Sequence, residues 1–216
     1  MTEHYYTKDP TSRHEEHAFA LECAGRTLQF ETDAGVFSKL KLDTGTALLL
    51  KALPETFHGR ALDLGCGWGP VGCCMAARWP QAEIALCDIN ERAVELARAN
   101  LERNRLRGAA FCGDGLDAVE GQFDLIAVNP PIRAGKAVVY KLFAQSAQRL
   151  SDGGSLYVVM RKAQGAESAE KELKTRFARV ETVERGTPAR RWSPPAAPAR
   201  AGPAPRKRPI KSISTK

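Results

Sequence analysis

A regular alternation of short apolar segments and helical segments, from Arg60 onward, is the feature that most constrains how this chain can fold. The apolar segments have the length of strands and are predicted at residues 61–64, 83–87, 109–112, 123–128, 155–160 and 179–183. Between them, helices are predicted at residues 70–78, 91–106, 137–150 and 166–177. Such alternation produces a mostly parallel sheet with helices on both faces. The sequence therefore predicts an α/β, Rossmann-like doubly wound fold with its ligand site at the carboxyl ends of the strands.

The first part of the chain predicts an extension that precedes this domain. Apolar residues alternate on either side of Ala24-Gly25-Arg26, which predicts a β-hairpin over residues 18–32. A loop that contains Phe37 follows, and the next helix is predicted at residues 47–53. We therefore assign residues 1–42 to an N-terminal extension with a hairpin and a loop on the ligand side, and residues 43–184 to the ligand-binding domain.

The composition changes after Glu184. Seven of the thirteen prolines lie between Pro188 and Pro209, and residues 185–216 carry nine Lys or Arg and no acid. This composition predicts a disordered basic tail over residues 185–216. Subtracting those nine leaves 23 of the 32 basic groups against 25 acidic groups in residues 1–184. The basic balance therefore belongs to the tail and is weak evidence for a nucleic-acid surface on the folded part.

Cysteine and histidine usage indicates a cytoplasmic protein without a metal site. The six cysteines form no C-x-x-C pair and lie mostly in apolar segments, as reduced, buried thiols do. All four histidines lie within the first 58 residues, without cysteines at ligand spacing. No apolar run approaches the ~20 residues that span a bilayer, and the N-terminus lacks the pattern of a secretory signal. We expect no membrane association, and the oligomeric state stays open.

A glycine-rich loop follows the first strand of the alternating region. It comprises Asp63, Gly65, Gly67 and Gly69 at alternate positions and leads into a helix that begins at Pro70. Glycines let such a loop turn tightly and bring its backbone against a ligand at a helix N-terminus. Asp88, at the end of the next strand, is placed to accept hydrogen bonds from ribose hydroxyl groups.

The glycine loop also matches a second pattern, which implies a different ligand. Asp63 is the residue that distinguishes between the two ligands. Gly67, Gly69 and Gly72 have the G-x-G-x-x-G spacing of a dinucleotide site. In such a site the Asp63 carboxylate would lie beside a pyrophosphate, where an anion is unfavourable. It suits a ligand with an ammonium group instead. S-adenosylmethionine carries an ammonium and a sulfonium, so Asp63 favours this cofactor over a dinucleotide.

A stiff corner ends the strand predicted at residues 123–128. Asn129 is followed by Pro130 and Pro131, which remove two backbone donors and restrict the chain, so the strand cannot continue. The corner carries one side-chain amide and carbonyl groups without neighbouring donors, a combination that can hold an amine-bearing substrate. The alternative is a simple strand stop with an asparagine that serves the turn.

These motifs together resemble the small-domain family of class I S-adenosylmethionine-dependent methyltransferases. Residues 63–69 resemble the first motif of the class I enzymes. Asn129-Pro130-Pro131-Ile132 resembles their N-P-P-[YFWI] motif, which is found in enzymes that methylate amino groups attached to planar systems. Residues 32–38 and 42–46 narrow the resemblance to the small-domain family, which includes guanine-N2 methyltransferases of small-subunit ribosomal RNA. The resemblance covers residues 4–184.

The resemblance implies roles for individual residues. The catalytic residues would be Asn129, Pro130 and Pro131, with the target amine donating to the Asn129 side-chain oxygen and the Pro130 carbonyl. The cofactor-binding residues would be Asp63, Gly65, Gly67, Gly69, Asp88, Asp114, Thr44 and Gly45. Asp114 would contact the adenine amine; the alternative is a solvated turn. The segment from Asp43 to Thr46 could cap a helix, form a wall of the cofactor pocket, or do both.

The substrate side would be formed by Ile132, Arg133 and Phe37. Many relatives have an aromatic residue in place of Ile132, and its absence favours the ribosomal-RNA branch over the protein-glutamine and adenine branches. Phe37 could supply a stacking ring or serve the core. Arg133 could meet phosphates near an extruded base, or be a solvated residue at a helix start. Methylation of a protein glutamine or a small amine, and an inactive cofactor-binding protein held to RNA, remain the alternatives.

The C-terminal end departs from the family pattern. Relatives close the sheet with a final antiparallel strand soon after the one predicted at residues 179–183. In this chain the residues that follow show no apolar alternation. We therefore expect the final strand to be missing or altered, which would leave an unpaired edge on the sheet.

Overall fold

The computed structural model describes residues 17–33 and 42–182, and the backbone alone at 183–184 and 208–215. A two-stranded antiparallel hairpin precedes a seven-stranded sheet that is flanked by helices. The hairpin strands are β1 (His17–Cys23) and β2 (Arg26–Thr32). The sheet strands are β3 (Arg60–Leu64), β4 (Glu83–Asp88), β5 (Ala109–Cys112), β6 (Phe123–Val128), β7 (Leu150–Arg161), β8 (Phe177–Glu184) and β9 (Arg208–Thr215). The helices are α1 (Thr44–Ala52), α2 (Pro70–Arg78), α3 (Glu91–Arg103), α4 (Lys136–Arg149) and α5 (Ala166–Arg176).

The order of the strands creates the crevice in which a ligand can bind. The order across the sheet is β5-β4-β3-β6-β7-β9-β8, and all neighbours in it are parallel. From β3 the chain moves outward to β4 and β5, and it then returns to β6 on the other side of β3. The loops after β3 and β6 therefore diverge and leave a gap at the carboxyl edge. The predicted doubly wound fold is confirmed.

Apolar side chains fill both faces of the large sheet. One cluster packs the hairpin, α1, α2 and α3 against the sheet and buries Trp68 and Trp79. The other packs α4 and α5 against the opposite face and buries Phe123 and Phe143. Each such aromatic side chain stabilises the fold by about 1.5–3 kcal/mol through burial. None of the helices in the described part of the chain combines the length and the apolar composition that crossing a bilayer demands.

The hairpin is attached to the domain through two asparagine side chains, Asn100 in α3 and Asn104 at the C-terminal cap of that helix. Asn100 accepts a hydrogen bond from the N–H of Glu31 at 2.8 Å and donates one to the Glu31 carbonyl at 2.9 Å. Asn104 makes the same pair of bonds with Gln29, at 2.8 and 2.7 Å. The two amides thus satisfy the edge of β2 as a neighbouring strand would. Asn100 also donates to the carbonyl of Trp68 at 2.9 Å and so joins the hairpin to the glycine loop.

The last strand differs from the expectation in direction and position. β9 lies between β7 and β8 and is parallel to both, with Ile210 opposite Leu156 and Val180. The final strand is therefore altered rather than missing, and over this segment the structure differs from the disorder predicted for residues 185–216. The physical reason is that β7 and β8 offer rows of free backbone groups, which a segment with several β-branched residues can satisfy despite a proline-rich approach. Residues 185–207 lie outside the described residues.

Candidate active site

A cavity of about 530 Å³ opens at the carboxyl edge of the sheet, where the strand order reverses. Its walls come from the glycine loop after β3, the end of β4, the corner after β6, the end of β7 and the start of α1. The volume lies within the range of small-molecule and cofactor sites. The fold therefore brings the predicted cofactor loop and the predicted substrate corner to one cavity.

The glycine loop presents bare backbone to the cavity. Gly65 and Gly67 have φ angles of +72° and +54°, a region that side chains other than glycine rarely adopt. A β-carbon at either position would meet no heavy atom within 4 Å, so each glycine borders open space. Cys66 lies between them, and burial together with nearby carboxylates raises the pKa of its thiol well above the usual value. The thiol is therefore neutral at physiological pH and is a poor nucleophile.

The Asp63 carboxylate lies buried at the base of this loop. Its Oδ2 accepts the backbone N–H of Gly72, in the first turn of α2, at 2.8 Å. Burial, with the Asp88 carboxylate as a smaller contribution, raises the pKa of Asp63 to about 7. Within the described residues Asp63 forms no ion pair, although it lines the cavity. A cationic group in the cavity would find a partner here and would favour the ionised form of the carboxyl.

Asp88, at the end of β4, is held by backbone donors on both of its oxygens. Oδ2 accepts from Gly67 N–H at 2.8 Å and Oδ1 from Asn90 N–H at 3.0 Å. Burial raises the pKa of Asp88 although these hydrogen bonds act in the opposite direction. An ionised carboxylate can accept about four hydrogen bonds, so Asp88 retains capacity for a further donor. Asp88 lines the cavity and can accept hydrogen bonds from the hydroxyl groups of a bound ribose.

The corner after β6 forms another wall of the cavity. Asn129, Pro130, Pro131 and Ile132 all line the cavity. The amide nitrogen of Asn129 donates to the hydroxyl of Thr46 at 3.1 Å and lies 3.4 Å from Oδ2 of Asp43. With the nitrogen committed to these partners, the remaining polar atom of the side chain is its carbonyl oxygen, which is an acceptor. The arrangement can therefore receive an N–H donor from a substrate.

Four of the predicted site residues are placed away from this cavity or cannot be located. Gly69 faces the protein, where an added β-carbon would lie 3.1 Å from the Ala97 side chain, because α2 begins close to α3. Asp114 forms an ion pair with Lys141 at 2.6 Å and is outside the lining, although the next residue, Gly115, is part of it. Thr44 is exposed at the first position of α1, and its neighbour Gly45 lines the cavity. Phe37 lies outside the described residues.

Two further pairs of residues line the cavity. Asp43 and Thr46 lie in the segment that was predicted to cap a helix or form a pocket wall; Asp43 caps α1, and both residues line the cavity. Their contact with Asn129 was not predicted from the sequence. Arg161 and Gln164 line the cavity at and just after the end of β7. Their position after a central strand could have indicated this location, because the carboxyl ends of central strands face the crevice.

The geometry agrees with comparisons to known proteins. The family model described as "Methyltransferase small domain" matches residues 27–188. The chain is 38% identical over 189 residues to the "Uncharacterized protein YbxB" of Bacillus subtilis, covering 86% of this chain and 94% of that one. It is 42% identical over 129 residues to the "Ribosomal RNA small subunit methyltransferase C" of Haemophilus influenzae, covering 58% of this chain and 39% of the relative.

A solved structure adds a match of the fold with ligands present. It is the Thermus thermophilus ("T. Thermophilus") 16S rRNA N2 G1207 methyltransferase in complex with AdoMet and guanosine. The match has a TM-score of 0.67 and 30% identity, and it covers 75% of this chain and 46% of that one. This chain therefore spans less than half the length of the matched rRNA methyltransferases, but nearly the whole length of the Bacillus protein.

Proposed function

Because this chain belongs to the methyltransferase small domain family, we propose that it methylates the exocyclic N2 amine of a guanine in small-subunit ribosomal RNA, using S-adenosylmethionine. The observation that carries the proposal is the shared cavity, in which the glycine loop and the Asn129 corner face each other. The methyl donor would bind at the glycine loop and the amine that receives the methyl group would bind at the corner, so that the two are held for in-line transfer.

The cofactor side fits S-adenosylmethionine on the evidence of its donors and its shape. Gly65 and Gly67 leave open space beside the loop. Asp63 offers a buried carboxylate to the ammonium group, and Asp88 offers acceptors to the ribose. When bound, this cofactor supplies an electrophilic methyl group on a sulfonium. Asp114 is proposed to contact the adenine amine after its ion pair with Lys141 is released.

The corner residues would position the amine and stabilise the charge that develops on it. The Asn129 oxygen and the Pro130 carbonyl accept the two N–H bonds of the amine and direct the nitrogen lone pair across the cavity. As the nitrogen becomes positive, both acceptors interact with it more strongly, which lowers the barrier. Pro131 keeps the corner rigid. A strong base is not required, because the positively charged product nitrogen is acidic enough to lose its proton to water.

A basic rim supports an RNA substrate. Arg133 and Arg161 are exposed and line the cavity. Arginines in this place can hold phosphates on either side of an extruded guanine. The Haemophilus influenzae relative and the Thermus thermophilus structure are both named as ribosomal RNA methyltransferases, which supports this substrate. Ile132 offers the base an apolar face in place of a stacking ring. We expect the protein to act in the cytoplasm.

The test uses the full chain, radiolabelled S-adenosylmethionine and small-subunit rRNA from cells that lack the protein. We expect label in the RNA and N2-methylguanosine in its digest, measured by nucleoside mass spectrometry. Label that enters protein or small amines would contradict the substrate. Calorimetry that detects cofactor binding without transfer to any acceptor would indicate an inactive binding protein. Absence of a binding heat would exclude the proposed cofactor.

A further inference from the structure

We infer that Asp43 and Thr46 are positioning residues that set the orientation of the Asn129 side-chain amide. They turn its nitrogen toward α1 and leave its carbonyl oxygen for the target amine. The consequence for catalysis rests on the proposed function, whereas the orientation itself can be measured without any activity. The inference gives the start of α1 a role in catalysis beyond forming a wall of the cavity.

The hydrogen-bond chain has three members. The Asn129 Nδ2 group donates to Thr46 Oγ1 at 3.1 Å and lies 3.4 Å from Asp43 Oδ2. The Thr46 hydroxyl in turn contacts Asp43 Oδ2. The other carboxylate oxygen, Asp43 Oδ1, caps α1 and accepts the N–H groups of Gly45 at 2.8 Å and Thr46 at 3.2 Å. One carboxylate oxygen of Asp43 therefore caps α1, and the other is the last acceptor in the series of hydrogen bonds that starts at Asn129.

The chain can run in one direction only. An ionised carboxylate is an acceptor without a proton to donate, so the single hydroxyl proton of Thr46 goes to Asp43. The Thr46 oxygen is then left as an acceptor, and it requires a donor from Asn129. A flipped amide would place the Asn129 oxygen against two other acceptors. It would also turn an NH2 group toward a substrate amine that needs an acceptor.

The packing leaves the amide little freedom. A β-carbon added at Gly45 would lie 2.9 Å from Asp43 Oδ1 and 3.5 Å from Asn129 Nδ2, so glycine is what permits this approach. Thr46 is buried, with 5% of its surface exposed. Asp43, Gly45 and Thr46 therefore converge on the same nitrogen. A helix cap alone would explain only the bonds to Asp43 Oδ1.

The decisive variant is Asp43→Asn. Asparagine is as good an N-cap as aspartate, so α1 is kept. Its side chain, however, can place an NH2 group where Oδ2 stood, which removes the fixed direction of the chain. Thr46→Val removes the hydroxyl at nearly constant shape, and Thr46→Ser retains it. Thr175→Val is the matched control, because the Thr175 hydroxyl donates to the Glu172 carbonyl at 2.7 Å in α5, away from the cavity.

The readouts are the single-turnover rate of methyl transfer and the dissociation constant of the cofactor. We expect Asp43→Asn and Thr46→Val to lower the rate about 10- to 100-fold, as for a lost hydrogen bond to a charged group. Cofactor affinity should change by less than about twofold, and Thr46→Ser should recover most of the rate. In an Asn129→Ala background, Asp43→Asn should cause no further loss. A wild-type rate in Asp43→Asn, or an equal loss of rate and cofactor affinity, overturns the inference.

An NMR measurement keeps the inference testable if ribosomal RNA is not the substrate. The Asn129 side-chain ¹H–¹⁵N resonances, assigned by their loss in Asn129→Ala, should shift in Thr46→Val and Asp43→Asn but not in Thr175→Val. Thermal unfolding of each variant shows whether it is folded. Unshifted resonances in folded Asp43→Asn overturn the inference whatever the enzyme methylates, whereas shifted resonances without RNA methylation count against the proposed function alone.

Discussion

The side-chain nitrogen of Asn129 donates a hydrogen bond to the hydroxyl of Thr46 at 3.1 Å, across 83 positions of the chain. The bond joins the corner that follows β6 to the first turn of α1, two segments that are far apart in the sequence. It places the Asn129 carbonyl oxygen as the free polar atom of the corner. Most of the expected behaviour of this protein depends on that arrangement or on the carboxylates across the cavity.

Replacing Asn129 by alanine should remove methyl transfer while sparing the cofactor. Loss of one preorganised group at a site of developing charge typically lowers a rate about 10²- to 10³-fold. Asn129 is proposed to contact the substrate and not the cofactor, so the dissociation constant of S-adenosylmethionine from calorimetry should stay within about threefold of wild type. An equal loss of transfer and of cofactor binding would point to a structural role for this residue.

Cofactor affinity should rise with pH through neutrality. The pKa of Asp63 is raised to about 7 by burial, so the carboxyl is largely protonated below that value and cannot pair with an ammonium group. Affinity for S-adenosylhomocysteine should therefore fall about tenfold per unit as the pH drops below 7. Asp88 also faces the cavity with a raised pKa. Calorimetry on Asp63→Asn separates the contributions of Asp63 and Asp88 to this pH dependence. If affinity varied with pH as steeply in this variant as in wild type, Asp63 would be excluded as the titrating group.

Replacing Asn100 by alanine should destabilise the protein. The change removes both bonds to Glu31 and the bond to the Trp68 carbonyl, and the residue is fully buried. We expect the free energy of unfolding to fall by about 2–3 kcal/mol, measured in urea. The control is Gln81→Ala, at an exposed position, which should change it by less than about 0.5 kcal/mol. Similar values for the two variants would mean that the hairpin is held by other contacts.

Removing the rim arginines should weaken RNA binding in a salt-dependent manner. Arg133→Ala and Arg161→Ala should each reduce the slope of log affinity against log salt by about one unit. Arg107→Ala is the matched control, because Arg107 is exposed just before β5, at the opposite edge of the sheet. Filter binding at several salt concentrations measures the slope. An equal effect at Arg107 would indicate unspecific attraction and not a rim that holds phosphates.

Truncation after Glu184 should lower the unfolding midpoint. The shortened chain lacks β9, so the facing backbone groups of β7 and β8 lose their partners. The same truncation tests the basic tail, because its nine Lys and Arg should contribute to the salt slope of RNA binding. Differential scanning calorimetry gives the midpoint. An unchanged midpoint would mean that β9 adds nothing to the stability of the sheet.

The sequence by itself determined the architecture, because the period of the apolar residues and the breakers between them are local properties. The alternation after Arg60 predicted the strands and helices in their order. The stiffness of Asn129-Pro130-Pro131 and the freedom of Gly65 and Gly67 are properties of those residues wherever they occur. Together with Asp63 and Asp88 at strand ends, these local features are enough to predict both walls of the cavity.

The tertiary structure alone decided which residues meet there. Gly69 and Asp114 follow strands as Gly67 does, yet Gly69 packs against α3 and Asp114 pairs with Lys141. β9 depended on free backbone groups at two distant strands, which no local pattern reports. The hydrogen bond between Thr46 and Asn129 likewise depends on the tertiary structure, because the two residues are 83 positions apart in the chain. A hydrogen bond requires a particular distance and angle between donor and acceptor, and the spacing of residues along the chain specifies neither.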